Sequence, residues 1–600
     1  MNGSRVEREY QVVVVGGGIS GVCAALASAR HGAQTALIQD RPVLGGNASS
    51  EIRMHICGAN REGSRENARE TGIIEEILLE NQARNPQHSF SVCDTILWEK
   101  CAFQENLHLY LNTRFLRAEA EEGRVRSIWA HQLTTEKDFR FSASLFIDAT
   151  GDGMLAEQAG AQIMRGREGK AEFSESLAPE RHDDYTMGNS ILFTAKDMGH
   201  PVPFRAPAWA YHYDDADIPG HLYHNHGTVK EATSGYWWLE LGGDERNSLD
   251  DYEAIRDELL KTLYGVWDHL KNQDQGCENL ALDWVGFLPG KRESRRVVGE
   301  YVLRQDDLVS GRHFADNIAY GGWHLDVHPV GGFAAFHNFE EASEEERALK
   351  MLKQIYGIPY RCLLPKGMKN LLMAGRAISV THIAFGSTRV MATCGLVGQA
   401  AGTAAALCAR HNCAPAALFL PSLQAALMLD DCYLPGQRLS GSLLETARLL
   451  CSSQQVGYEA EMAVNGRLRA ENGVSNCWRA AAEDPAPWLE ARWPAAQRVR
   501  KIILRFDSNC SRHYCISLSA WMREHRIYAG IPEELVKDYA LELFQGENRV
   551  WQARVSDNYQ RLNVHILPPG MEGDWLRLTI HSSHGTECAR LFQWEAYVEK

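Results

Sequence analysis

Two folds follow one another in this sequence: an α/β fold carrying an inserted α+β region, and then an all-β jelly-roll sandwich. Three observations predict them. The first is the apolar β-branched run Val12-Val13-Val14-Val15, which flows into Gly16-Gly17-Gly18-Ile19-Ser20-Gly21. The second is a helix-like stretch from Val22 to about Ala29 followed by a strand, Thr35-Ala36-Leu37-Ile38. The third is a change of texture from about Glu445, where short alternating strands and turn residues replace helical patterns.

The first two observations make a βαβ unit with a G-x-G-x-x-G turn. Gly16 permits the tight turn, Gly18 lets backbone approach a pyrophosphate, and Gly21 lets the helix pack on the strand. The free N–H groups of the helix N-terminus suit phosphates. The acid that commonly binds a ribose at the end of the second strand is replaced by Gln39, with Asp40 beside it. Gln39 can exchange hydrogen bonds with a ribose, but the change weakens a reading as a pure NAD site.

Later segments select the cofactor. Arg41-Pro42-Val43-Leu44-Gly45-Gly46, then Leu145-Phe146-Ile147-Asp148 ending in Ala149-Thr150-Gly151-Asp152, then Asn370 to Gly375-Arg376-Ala377, follow in order. They resemble the ordered motifs of glutathione-reductase-type flavoproteins. The segments Leu44-Gly45-Gly46-Asn47-Ala48-Ser49-Ser50-Glu51-Ile52-Arg53 and Thr381 to Met391 are similar to the FAD-dependent oxidoreductase family, whose relatives include fumarate reductase flavoproteins. The resemblance implies a Rossmann-type FAD-binding domain with FAD as cofactor. It places Gly16, Gly18, Gly21, Gln39, Asp40, Arg41, Gly45, Gly46, Asn47, Ser49, Ala149, Gly151, Asp152, Gly375 and Arg376 around FAD.

The expected organisation is FAD-binding segments at 1–155, an inserted substrate or cap region at 156–359, a return to the FAD-binding domain at 360–439, and the sandwich at 445–600. In the first part, Arg69 to about Asn81 reads as a helix with Ile73, Ile74, Ile77 and Leu78 on one face. Leu107 to Thr113 and Arg124 to His131 read as a β-meander. The insert is rich in Pro and aromatic residues (Pro201, Pro203, Pro207, Trp209, Tyr211, Tyr213, then Tyr236-Trp237-Trp238), either a structural core or a cover over the flavin. The stretch Gly395 to Leu407 reads as a helix whose N-terminus falls near Gly398 and Gln399, where its dipole would stabilise negative charge on reduced flavin. Ser440-Gly441-Ser442 reads as a linker, so residues 1–439 are expected to fold alone.

The sandwich strands include Pro487 to Trp493, Val499 to Asp507, Leu576 to Ile580 and Ala589 to Val598. They resemble a galactose-binding-like sandwich of the discoidin type. Such modules bind glycans or serve for packing and dimerisation, which leaves a homo-oligomer open.

Composition sets outer bounds. A 600-residue chain can build two or three full cores, and 44% hydrophobic with 23% charged residues is ordinary for a globular protein. A formal charge of −15 argues against nucleic acid and against an anionic membrane surface as partners. Fifteen scattered Cys residues form no C-x-x-C pair and read as reduced and buried. The first residues lack a signal-peptide pattern, the two long uncharged stretches are rich in Gly and Ala, and a cytoplasmic protein is expected.

Three clusters carry candidate chemistry. His324-Leu325-Asp326-Val327-His328, read as a strand, puts two imidazoles and a carboxylate on one face. A His oriented by Asp326 suits removal of a hydroxyl proton while hydride leaves for flavin N5. Three donors so close on one strand rarely converge on one ion, so no metal site is expected. His382 with Arg389 matches a place where fumarate-reductase relatives bind substrate carboxylate. Lys291-Arg292-Glu293-Ser294-Arg295-Arg296 could meet an anionic substrate or FAD phosphates, or form a solvated face. His55 and Cys57 follow the Gly-Gly segment, where some relatives attach flavin covalently, but nothing local requires that here. The leading expectation is an oxidoreductase that turns a secondary hydroxyl of a carbohydrate or polyol, free or on a glycan, into a ketone. The alternatives are reduction of an activated C=C bond and a flavin-carrying binding protein without turnover.

Overall fold

The computed structural model describes residues 5–214, 217–218, 239–333, 335 and 343–598. Tyr236-Trp237-Trp238, expected to contribute to the aromatic insert, lie outside the described residues. Contacts divide the chain into two compact units. One is Met1–Glu62, Gln87–Leu423 and Cys515–Ile527; the other is Gly63–Pro86, Gln424–Tyr514 and Tyr528–Lys600. The expected boundaries assume contiguous domains, whereas here each unit takes a segment from within the sequence of the other.

The first unit is built on a seven-stranded sheet. The strands β1 (Arg5–Val15), β2 (Thr35–Ile38), β3 (Leu107–Tyr110), β4 (Thr113–Glu121), β5 (Arg124–Gln132) and β6 (Lys137–Asp148) lie in the order β3-β2-β1-β6-β5-β4. β1 pairs in parallel with β2 and β6, and the strand Leu371–Met373 pairs in parallel with the C-terminal end of β6. Val12, Val13, Val14, Leu37, Phe146 and Ile147 are all fully buried. That is why these strands read as unbroken apolar runs: a parallel sheet covered on both faces has no polar side to show.

One sequence expectation changes. Leu107 to Thr113 does not open a meander; β3 extends the parallel sheet beside β2. The meander is β4, β5 and the first half of β6, paired antiparallel.

The helix α1 (Ile19–Arg30) crosses the helix Met391–His411 at close range. A Cβ on Gly398 would sit 2.0 Å from the Ser20 carbonyl oxygen, and one on Gly402 2.0 Å from that of Ala24. Small residues at this spacing therefore set the distance between the two backbones. Met391–His411 is long and apolar enough by composition to cross a membrane, and 94% of its apolar window is buried inside the protein.

The inserted region has its own core, in which Ile255, Leu259, Leu263 and Trp267 of the helix Tyr252–Asn272 pack with Phe193. Trp209 packs edge-on against Tyr264 of that helix, and Tyr213 against Phe333, so this part of the aromatic stretch is structural.

The second unit contains a sandwich of antiparallel sheets with five and four strands. The central strands of the larger sheet are Trp488–Arg498, Glu572–Ser583 and Val536–Gln545. In the smaller sheet Arg590–Tyr597 pairs with Lys501–Phe506. Trp478, Trp594, Leu504, Leu541 and Leu578 fill the space between them, which accounts for the alternating pattern in the sequence. The helix Ile73–Arg84, which starts and ends later than the expected Arg69 to Asn81, belongs to this unit and buries Ile73, Ile74, Ile77 and Leu78.

Candidate functional site

A cavity of about 1130 Å³ opens in the first unit. It exceeds the roughly 300–1,000 Å³ of small-molecule pockets and leaves room for a dinucleotide beside a second ligand. Its floor is the turn after β1. Gly16 adopts φ 104°, and a Cβ there would lie 2.3 Å from the Ala149 carbonyl oxygen, so no side chain fits. A Cβ on Gly18 would meet nothing within 4 Å, because Gly18 borders the open cavity.

Gly18 precedes α1 and offers no side-chain cap, so the first-turn N–H groups are left for a ligand. Ser20 Oγ, on the same turn, is buried without a partner. Free backbone donors, an orphaned hydroxyl and a gap where a side chain would stand fit a pyrophosphate at this end.

Thirteen of the positions predicted around the cofactor line this cavity: Gly16, Gly18, Gln39, Asp40, Arg41, Gly45, Gly46, Asn47, Ala149, Gly151, Asp152, Gly375 and Arg376. Four do not. Gly21 supports the turn from below, with a built Cβ 1.8 Å from the Gly16 carbonyl oxygen. Ser49 is buried behind the wall. Gly398 and Gln399 are the correction: the helix begins at Met391, not near Gly398, so both sit in its buried middle. The sequence misled because Gly395 and Gly398, near the start of this helix, weaken the helical signal. Val390, Met391 and Cys394, from the true N-terminus, line the cavity instead.

Gln39 also behaves differently from expectation. Its Oε1 accepts the Gly17 N–H at 2.7 Å and its Nε2 donates to the Val43 carbonyl at 3.2 Å. The amide ties the glycine turn to the next loop.

Next to the turn, Asp152 is bracketed by cations. It pairs with Lys291 and, at 2.9 Å, with Arg376. Burial alone would raise this carboxyl, but Lys291 and Arg376 overcome burial and hold it below its ordinary value.

At the other end lies the cluster His324, Asp326, His328 and Arg389. The segment is not a strand. It follows the strand Asn317–Gly321 as irregular backbone, with Asp326 N–H bonded to the His324 carbonyl at 2.9 Å and Val327 N–H to that of Leu325 at 3.0 Å. Two successive γ-turns preserve the alternation a strand would give. Leu325 turns inward, 1% exposed, and the polar residues face the cavity.

Asp326 Oδ2 accepts from Arg389 at 2.8 Å and stands 3.4 Å from His328 Nε2, while Oδ1 lies 3.6 Å from His324 Nε2. Burial opposes its ionisation, yet His328 and Arg389 hold its pKa well below the ordinary value. His328 Nδ1 meets Glu240 at 2.7 Å, and Arg292 lies 3.2 Å from the same carboxylate. Burial would push Glu240 up, but Arg292 and His328 bring it down to about 2. Burial would lower His328, but Glu240, joined by Asp326 and opposed by Arg292, leaves its pKa raised.

His382 does not join this cluster. It is 2% exposed, its Nδ1 meets Glu293 at 3.0 Å, and it does not line the cavity. As the first residue of the helix His382–Thr388 it packs inward, and Glu293 supplies the polar partner that burial demands. Within the basic run, Lys291 and Arg292 line the cavity, while Arg296 is fully buried against Glu168.

Sequence reasoning missed Glu240 and Trp323 here, and raised His55 only as a place for covalent flavin. Glu240 is far from His328 in sequence and stands beside a segment with no motif. Trp323 is 7% exposed and lines the cavity with its Nε1–H buried and unpartnered. His55 lines it too, and burial with Arg292 nearby lowers its pKa to about 4, so it is neutral at physiological pH.

A parallel sheet, a glycine turn open to a large cavity and a histidine held between carboxylates in its wall define a nucleotide-cofactor enzyme. The family model described as FAD dependent oxidoreductase matches residues 11–427, and the chain belongs to that family. A comparison with curated proteins finds no match. Among solved structures, a Streptococcus pneumoniae fucose binding module is 16% identical, covering 27% of this chain and 100% of its own, with a TM-score of 0.21. The family 32 carbohydrate-binding module from Streptococcus pneumoniae EndoD is 14% identical, covering 26% and 100%, with a TM-score of 0.20. The family 32 module from C. perfringens NanJ in complex with galactose is 12% identical, covering 26% and 94%, with a TM-score of 0.18.

Proposed function

We propose that this oxidoreductase uses FAD to oxidise a secondary hydroxyl of a carbohydrate or similar polyol to a ketone. The observation that carries the reading is His328, held between Glu240 at 2.7 Å and Asp326 at 3.4 Å in the wall of the cavity that the glycine turn opens. When bound, the flavin supplies the hydride acceptor. Gly16 to Ser20 would receive its pyrophosphate, with Arg41, Lys291 and Arg376 as the nearby cations.

The protein's own groups handle the proton. Glu240 accepts from His328 Nδ1–H and fixes the ring, which leaves Nε2, beside Asp326 in the cavity wall, to take the proton of a hydroxyl bound there. Asp326 stabilises the imidazolium that results, and Arg389 keeps Asp326 ionised and in place. The unpartnered Trp323 N–H is available to the substrate oxygen as it becomes a carbonyl. Trp323, Tyr252 and Trp521 put aromatic surface on the cavity, which suits the C–H faces of a pyranose.

Arg292 and Arg389 already pair with Glu240 and Asp326. A fumarate-reductase-like site needs cations free for substrate carboxylate, so the charge balance favours a neutral polyhydroxylated substrate. Anaerobic mixing of the yellow protein with a panel of pyranosides, polyols and hydroxy acids tests this. The expected result is flavin bleaching by a sugar or polyol. Bleaching only by acids, or reoxidation of reduced flavin by enoates alone, would overturn the reading.

A further inference from the structure

We infer that His55, Cys57 and Glu62 form a binding site for one divalent cation of the zinc class, open on its fourth side to the cavity. The inference goes beyond the redox reading and does not depend on it. One imidazole nitrogen, one thiol sulfur and one carboxylate oxygen lie within 4.8 Å of one another, with His55 Nε2 3.9 Å from Glu62 Oε1. All three residues line the cavity.

Zinc ligands stand about 2.0–2.3 Å from the metal, so in a tetrahedron they lie about 3.3–3.8 Å apart. Small side-chain rotations would bring this set to that spacing. Three protein ligands with an open position are the arrangement of catalytic zinc, where the fourth place takes a water or a substrate oxygen. A sulfur and a nitrogen donor exclude magnesium and calcium, which prefer all-oxygen shells.

The frame around the donors is fixed. Ala392 N–H, at the start of the helix Met391–His411, donates to the Cys57 carbonyl at 3.0 Å, and Met54 N–H donates to that of Asn47 at 2.9 Å. Arg61 and Glu62 both hold positive φ, 50° and 55°, although neither is glycine. Two adjacent residues in that region persist only where the surroundings impose it, and such strain gathers at functional sites. The consequence here is that Glu62 turns back toward His55.

The test uses the full-length protein with its flavin, dialysed against a chelator and titrated with Co²⁺ alone. Tetrahedral cobalt with a thiolate ligand absorbs to the red of the flavin bands. We expect those bands to saturate at one equivalent, to vanish on adding Zn²⁺, and to need at least ten- to a hundredfold more cobalt in Cys57→Ser, the loss seen even for groups outside the ligand shell. If that variant does not fold, Glu62→Gln serves, since its side chain is partly exposed. No long-wavelength band in the wild type, or bands unchanged in Cys57→Ser and Glu62→Gln, would overturn the site and mean adventitious metal only. Colourless protein that binds cobalt would refute the flavin reading alone, and yellow protein that does not would refute the metal site alone.

Discussion

Glu240→Gln isolates the electrostatic half of the proposed mechanism. Gln can still accept the His328 Nδ1–H across the 2.7 Å contact, so the substitution removes charge more than geometry. An opposite charge this close moves a pKa by about 1–3 units. Glu240 is the leading group that raises His328 against burial, so the variant should lower His328 by about that amount. A base acts only when neutral. The rate of flavin reduction by substrate should therefore rise with pH through an inflection above the ordinary 6.5 in the wild type. In Glu240→Gln the inflection should move to lower pH by at least one unit. The plateau should fall as well, because a weaker base is a poorer proton acceptor, by less than the roughly 10²–10⁴-fold that loss of a general base costs. Anaerobic stopped-flow across the pH range reads both quantities. The signs for stability are also fixed. A raised His328 adds stability that is full below about 6.5 and is lost as pH rises through its native value. Glu240, held below its ordinary 4.5, adds stability that is present above 4.5 and lost as pH falls through its native value. An inflection that stays in place in Glu240→Gln would refute the assignment of the base to His328.

Four further outcomes follow. Gly18→Val should give soluble but colourless protein, read from the ratio of flavin to protein absorbance, because its side chain would fill the one open face of the turn. Gly402→Leu should destabilise the first unit by several kcal/mol, since even a Cβ there stands 2.0 Å from the Ala24 carbonyl oxygen, and thermal melting reads the loss. Trp323→Phe should retain flavin and slow its reduction by up to about 10²–10³-fold, the cost of one donor to the reacting oxygen, with kcat affected more than KM. His382→Asn should leave the pH profile in place, because His382 faces Glu293 and not the cavity; a shifted profile would restore it to the catalytic set.

The sequence made the cofactor end legible because pyrophosphate binding uses backbone, and backbone demands glycine at fixed spacings. Gly16 and Gly18 can be read without any knowledge of the rest of the chain. The proposed catalytic end was half legible. His324, Asp326 and His328 share a face because alternation survives in two γ-turns, so the wrong element gave the right grouping. Glu240 and Trp323 left no local trace: one is an acid in a two-residue strand, the other an aromatic beside a histidine. Folding, visible only in three dimensions, brings Glu240 onto His328 and sets Trp323 in the cavity wall. His382 was misplaced for the converse reason, since a resemblance marks a position but not the direction a side chain takes from it. The start of the helix Met391–His411 was missed because Gly395 and Gly398 look least helical, although Gly398 is one of the residues that let two helices touch.

The limit of reading domains from texture shows most clearly at Ser440-Gly441-Ser442. The stretch is small and polar, and texture changes nearby, so a cut at 439 looks harmless. Yet the segment Gly63–Pro86 belongs to the second unit. There Arg69, 2% exposed, donates to Glu75 at 2.5 Å and to the Asn509 and Arg512 carbonyls at 2.7 and 2.8 Å. Arg469 donates to the Asn67 carbonyl at 2.8 Å, and the buried Arg561 pairs with Asp431 at 2.9 Å. Removing residues 440–600 strips Arg69 of these carbonyl acceptors and exposes Ile73, Ile74 and Ile77. It also leaves Asp431 without Arg561 and Arg505, its cationic neighbours. Breaking one buried pair of this kind costs about 3–5 kcal/mol. Two such losses approach the 5–15 kcal/mol stability of a whole domain. The cut also deletes Trp521 and Met522 from the cavity wall of the first unit. A fragment of residues 1–439 should therefore be insoluble, or soluble and nearly free of flavin, when its pellet fraction and absorbance are compared with the full chain. A soluble, fully yellow fragment would show that Gly63–Pro86 needs none of these partners and that the two units fold independently despite sharing the chain.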